Sequence, residues 1–211
     1  MYREKLAEYG LAISDEKNRE VAHWEHYYWA RSPELMQDSA KFDVDSEAFW
    51  SHYSRTRLEK MGAMPEEIEE FRLKIDAYFA NEYAPKNRVP PDIHRILPEL
   101  RATGFILAVL SNRRTSFMDI IEELSLDGYF DAVMAAGEVG AWKPDPKVFT
   151  PLLERFNLSP KETVYIGDNY FSDVVGARNA GITPILYDPR GIFPDADVAR
   201  ITSFEALGEL L

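Results

Sequence analysis

Two carboxylates five residues apart close the stretch Thr163-Val164-Tyr165-Ile166-Gly167-Asp168-Asn169-Tyr170-Phe171-Ser172-Asp173. An apolar run rich in β-branched and aromatic residues reads as a buried strand that stops at Gly167. Asp168 follows at once, and Asp173 opens the run Val174 to Ala180, which reads as a helix ending at Gly181. Paired hard oxygen ligands at a strand end suit magnesium, and strand ends are where open α/β sheets bind ligands. The same residues also suit an ordinary turn with one acid capping a helix. Two more strand ends carry polar groups. Ser111-Asn112 follows the apolar run Phe105 to Leu110, where a hydroxyl, an amide and loop N–H groups can donate to a phosphate or simply cap a helix. Lys143 sits in Trp142-Lys143-Pro144-Asp145-Pro146, a cation between stiff segments that can neutralise a phosphate or stay solvated.

The elements that must position these groups alternate. A helix over Ile93 to Leu100 ends at Gly104, and the strand to Leu110 is fit for burial on both faces. A helix from Ser116 to Leu124, a weaker strand over Asp131 to Ala135 and a helix capped at Asp145 through Phe156 come next. The opening strand and its helix follow, then a strand over Thr183 to Tyr187 and a short helix from Phe204. Strands alternating with helices argue for one parallel, Rossmann-like sheet over residues 85–211. Pro85 and Pro90-Pro91 mark its boundary. Residues 1–84 read differently, as four amphipathic helices: one ending near Gly10, one capped at Ser14, one starting at Asp45-Ser46 and one at Pro65. Trp24, Tyr27, Tyr28, Trp29, Phe49, Trp50 and Tyr53 read as the core of that unit.

Taken together, the run Leu107 to Asn112, the run Lys143-Pro144-Asp145-Pro146-Lys147-Val148-Phe149 and the run Gly167 to Val174 resemble the second, third and fourth motifs of the haloacid dehalogenase superfamily. The helical first 84 residues resemble its all-helical cap. The resemblance implies an α/β core with a helical cap, and a hydrolase of the phosphatase type. It implies Ser111 and Lys143 as ligands of a phosphoryl group, with Asn112 supporting the loop. It implies Asp168 and Asp173 as holders of Mg2+, and a small phosphorylated metabolite as substrate. The acid pair favours a phosphatase over a dehalogenase, which needs no metal.

The family's first motif, an apolar strand ending in a nucleophilic aspartate at the sheet centre, has no counterpart before Tyr2. Asp43-Val44-Asp45 spells the right letters, but no buried strand precedes it, and Asp45-Ser46 reads as a helix start. Losing three or four buried aliphatic side chains forfeits about 5–10 kcal/mol. The expectation is that a segment is missing from the start, through a misplaced start codon or a fragment. The chain as written is then expected to be inactive for want of the nucleophile, with Lys143 the one catalytic residue present. A non-catalytic phosphate-binding or interaction protein is the alternative of another class.

Composition bounds the partners. The 211 residues carry a net charge of −12, which argues against a nucleic-acid or anionic-membrane surface. The absence of cysteine excludes thiolate chemistry and disulfides. No apolar run approaches a membrane span, no signal peptide is visible, and a cytoplasmic protein is expected. His23 and His26 lie a turn apart without an evident third ligand and read as helix surface. Arg113 and Arg114 follow the Ser111 loop as candidates for a second anionic group or as solvated cations. Oligomeric state is not legible.

Overall fold

Serine caps set the helices of the first part of the chain. Ser14, Ser32 and Ser46 each accept a hydrogen bond from the backbone N–H three residues on, at Lys17, Leu35 and Phe49. Each side chain thereby satisfies one donor that a helix start leaves unpaired. In the computed structural model, which describes residues 1–211, the first compact unit spans Met1–Pro85. It holds α1 (Tyr2–Glu8), α2 (Asp15–Trp29), α3 (Pro33–Lys41), α4 (Glu47–Lys60) and α5 (Ile68–Asn81). There are five helices where the sequence pattern predicts four. The extra one, α3, buries no residue, so it leaves no apolar periodicity to read; its Ser32 cap and Pro33 are the legible signals. The last helix starts at Ile68 rather than Pro65, because residues 64–67 close a turn from the Glu67 N–H to the Met64 carbonyl.

Leu6, Val21, Leu58, Ile68, Phe71 and Ile75 form one core of this unit. Tyr28, Phe49 and Tyr53 form a second, flanked by Trp24, Leu35 and Phe42. The buried hydroxyls find partners: Tyr28 donates to Asp38 at 2.9 Å and Tyr53 to Glu25 at 2.9 Å. The aromatic cluster is therefore core with wet polar ends, while Trp29 and Trp50 remain exposed at its edge. The Asp43–Ser46 segment is a turn that delivers the α4 cap. His23 is exposed and His26 half-buried, and no group of three metal-ligating side chains occurs anywhere in the chain.

The second unit spans Lys86–Leu211. It comprises α6 (Ile93–Ala102), β1 (Ala108–Ser111), α7 (Met118–Glu123), β2 (Ala132–Ala135), α8 (Ala136–Val139), α9 (Thr150–Phe156), β3 (Val164–Gly167), α10 (Val175–Asn179), β4 (Thr183–Tyr187) and β5 (Ala199–Ile201). All ladders are parallel, as the β/α alternation predicts. They fall into two hydrogen-bonded groups, β1 with β2, and β3–β4–β5 in that order. Three apolar clusters pack against the sheets. On one face, α6 places Ile93 and Leu97 against Ala135 of β2, and Ile96 against Ile185 of β4 and Ile201 of β5. On the other, Leu110, Val148, Phe149, Ala177 and Tyr165 pack together.

The facing edges of β1 and β3 are not paired with each other. Between them lies an apolar cleft of about 100 Å³, lined by Ala108 and Leu110, by Val164 and Tyr165, and by Leu153 and Phe156 of α9. This corrects the expected strand over Phe105 to Leu110. The ladder begins only at Ala108, and Phe105 and Ile106 are 43% and 45% exposed. Within β1 itself only Leu110 is buried and Ala108 is exposed, so the strand is not buried on both faces.

Asp131 fixes where β1 and β2 start. Its carboxylate accepts from the Leu107 N–H at 2.9 Å and from Arg101 at 3.1 Å, while its own N–H donates to the Leu107 carbonyl at 2.7 Å. The Leu107 N–H, followed by Arg101, holds its pKa below the ordinary carboxylate value. A depressed pKa means a stabilisation fully present above the unfolded-state value of about 4 and lost as pH falls below that, through the lowered folded value. Asp131→Asn should therefore be less stable than the parent at pH 7, and should lose less of its remaining stability between pH 7 and acid. Urea unfolding across pH checks both.

Candidate functional site

Strand polarity brings the sequence candidates to one end of both sheets. Ser111 is the last residue of β1, and Asn112 opens the loop beyond it. Asp168 follows the last residue of β3 directly and lies exposed. Lys143 and Asp173 are both buried, at 6% and 5% exposure.

Asn112 acts on the backbone of Lys143. Its amide donates to the Lys143 carbonyl at 3.0 Å and its carbonyl accepts from the Lys143 N–H at 2.9 Å. The side chain thus imitates a neighbouring peptide and clamps residue 143 beside the end of β1. The loop after Asn112 is anchored as well. The Gly137 N–H donates to the Arg113 carbonyl at 3.0 Å, and a Cβ at Gly137 would lie 1.9 Å from the Arg114 carbonyl oxygen. Arg113 and Arg114 are exposed, and Arg113 rests over the Phe117 ring.

The Lys143 ammonium lies 2.8 Å from Asp173 Oδ1. It also donates to the Tyr165 hydroxyl at 2.6 Å and to the Leu110 carbonyl at 3.3 Å. Tyr165 in turn donates to the Leu110 carbonyl at 3.0 Å. Burial alone would push the lysine pKa down; Tyr165 and Asp173 outweigh it and raise the value to about 12. Burial also drives Tyr165 up to about 12, against the pull of Lys143. At neutral pH the pair is an ammonium and a neutral phenol.

The loop that carries the acids differs from the expected helix start. Asn169, not Ser172 or Asp173, is the cap: its Oδ1 accepts from the Phe171 and Ser172 N–H groups at 2.9 and 3.1 Å. The chain then makes one π-turn over Tyr170–Val174 before α10 begins. That wider turn carries Asp173 back over the strand end, where its Oδ2 accepts from the Asn169 N–H at 2.9 Å. A Cβ at Gly167 would lie 2.4 Å from Asp173 Cγ, so only glycine leaves the acid room. Gly176 permits a similar approach on the far side, with 3.2 Å from its would-be Cβ to Pro144 Cα. Around the loop, Tyr170 donates to Asp197 at 2.7 Å and Arg178 pairs with the same carboxylate at 3.0 Å.

As a metal site the donor set is partial. Asp168 offers an exposed carboxylate, Asp173 already serves Lys143 and Asn169, and no third acid or histidine joins them. Magnesium commonly takes one or two carboxylates and completes its shell with water and phosphate oxygens, so the pair fits that ion and no all-protein cage. Tyr165 is the site residue that sequence reasoning missed. The period-two alternation of a strand could have found it, since Tyr165 shares the face of Gly167, where Asp173 packs.

Gly167→Ala should displace Asp173 and loosen the Lys143 pair. We expect a loss of about 3–5 kcal/mol, the cost of breaking a buried pair, measured by chemical denaturation. Asn112→Ala removes two hydrogen bonds to one residue and should cost about 1–3 kcal/mol.

A family model described as haloacid dehalogenase-like hydrolase matches residues 39–187. A phosphoserine phosphatase of Thermus thermophilus is 32% identical over 171 residues, covering 71% of this chain and 66% of that protein. The chain thus spans just under two thirds of that relative. The crystal structure of a HAD phosphatase from Thermococcus onnurineus matches with a TM-score of 0.55 at 26% identity, over 83% of this chain and 76% of that one. That of a 2-haloacid dehalogenase from Pseudomonas syringae matches with a TM-score of 0.53, also at 26% identity, over 89% of this chain and 78% of that one.

Proposed function

Because the chain belongs to the haloacid dehalogenase-like hydrolases, we propose that its site serves magnesium-dependent hydrolysis of a small phosphomonoester. The observation that carries this reading is the buried Lys143–Asp173 pair at the strand ends, 2.8 Å apart, with Asp168 exposed beside it. Phosphatase relatives support the substrate class. The acid pair is what a metal-free dehalogenase does not require.

In this reading the phosphoryl group sits between the Ser111–Asn112 loop and Lys143. The Ser111 hydroxyl and the loop N–H groups donate to its oxygens, and the ammonium offsets their charge. Asp173 orients the ammonium and keeps it charged despite burial. Asn112 holds the Lys143 backbone against the end of β1. Asp168, assisted by Asp173, would hold Mg2+, which when bound neutralises phosphoryl charge and so admits an anionic nucleophile. Neither acid is free to make that attack: Asp173 has both oxygens engaged, and Asp168 is the metal donor. Residues 1–211 by themselves therefore hold and orient a phosphoryl group without cleaving it.

Calorimetric titration tests the reading. Orthophosphate should bind the chain more tightly with Mg2+ than without. Asp168→Asn should abolish the enhancement, and Lys143→Met should weaken binding under both conditions by about tenfold or more. Residues 1–211 should not turn over p-nitrophenyl phosphate. Metal-free halide release from a 2-haloacid, or phosphate binding indifferent to Lys143, would overturn the assignment.

A further inference from the structure

We propose that Tyr165 is a positioning residue for Lys143: its hydroxyl holds the Leu110 carbonyl so that the ammonium can turn one N–H toward the phosphoryl group. This role rests on the phosphate-binding reading above. An ammonium has three N–H bonds, and Lys143 has three partners: Tyr165 at 2.6 Å, Asp173 at 2.8 Å and the Leu110 carbonyl at 3.3 Å. Two of these contacts are hydrogen bonds and the third, to Asp173, is an ion pair, so three oxygens already surround the ammonium before an anion arrives.

One of the three contacts is replaceable. The contact to Leu110 is the longest, and that carbonyl has a second donor, the Tyr165 O–H at 3.0 Å. When the ammonium swings away, the carbonyl stays satisfied and no buried acceptor is orphaned. The same hydroxyl remains an acceptor for Lys143, so the motion is a rotation about two retained partners and not a release. Packing fixes the ring that carries this hydroxyl. It meets Phe149 edge-on with 5.0 Å between centroids, and lies 5.0 Å from the ammonium. Phenylalanine at 165 would keep the ring and lose both functions of the oxygen. Lys143 would then be the sole side-chain donor to Leu110, and turning it would strand the carbonyl.

The experiment compares Tyr165→Phe, Phe149→Leu and Lys143→Met with the parent. Orthophosphate affinity is measured by calorimetry with Mg2+, the melting temperature by scanning calorimetry, and the Lys143 ammonium by ¹⁵Nζ–¹Hζ NMR. Tyr165→Phe should bind orthophosphate about tenfold or more weakly, with faster Nζ proton exchange and a folded, cooperative melt. Phe149→Leu disturbs the packing of the same ring but leaves the hydroxyl. It should lower the melting temperature and keep the affinity. Parent-like affinity in Tyr165→Phe alongside a weak Lys143→Met would overturn the inference and leave the phosphate site standing. Equal losses in Tyr165→Phe and Phe149→Leu would also overturn it, by making Tyr165 a packing residue. A parent chain that does not bind orthophosphate would overturn both readings.

Discussion

The site depends on one buried ion pair. An ammonium and a carboxylate have both been taken out of water, and either alone would be strongly destabilising there. The pair is tolerable because almost every remaining valence is used: Asn169 serves the second carboxylate oxygen, and Tyr165 and Leu110 serve the ammonium. Much of the second unit follows from making that geometry possible. The Lys143 backbone is clamped by Asn112, the π-turn brings Asp173 back over the strand, and two glycines remove the atoms that would prevent it.

The pair also joins the two sheets. Ser111 and Asn112 belong to the β1–β2 side, and Asp168 and Asp173 to the β3–β4–β5 side. No backbone ladder connects the two. At the functional end they are linked instead by side chains, through Lys143 and Tyr165 to the Leu110 carbonyl. Helix α6 and the cluster around Phe149 supply the apolar contact beneath. The polar groups that are apt for binding an anion are thus the same ones that fix the spacing of the sheets.

Much of this was legible in the sequence because its cues are local. The apolar run ending at Gly167-Asp168 and the Ser14 and Ser46 caps act within a few residues and are read directly. The β/α alternation set the parallel topology by a similarly short-range pattern. Three things were less legible. Helix α3 buries nothing, so periodicity could not mark it. The π-turn starts from Asn169 rather than Ser172 as the cap, and both residue types are good caps, so residue type alone does not choose between them. The division into two hydrogen-bonded groups depends on which strand edges meet, and residue order along a chain carries no record of that. Tyr165 stood in plain view as an apolar strand residue, and only its hydroxyl partners from Lys143 and Leu110 give it another meaning.

The glycine that ends β3 has a consequence of its own. In a strand, the face opposite Asp168 should be occupied by the side chain of residue 167, and glycine has none. The space is filled from six residues downstream: Asp173 Cβ lies 2.5 Å from where the Cβ of residue 167 would stand. In effect the strand wears a carboxylate it does not encode. One strand terminus thus presents acids on both faces, Asp168 toward solvent and Asp173 toward the buried lysine, with the second acid lent by the π-turn rather than carried by the strand itself.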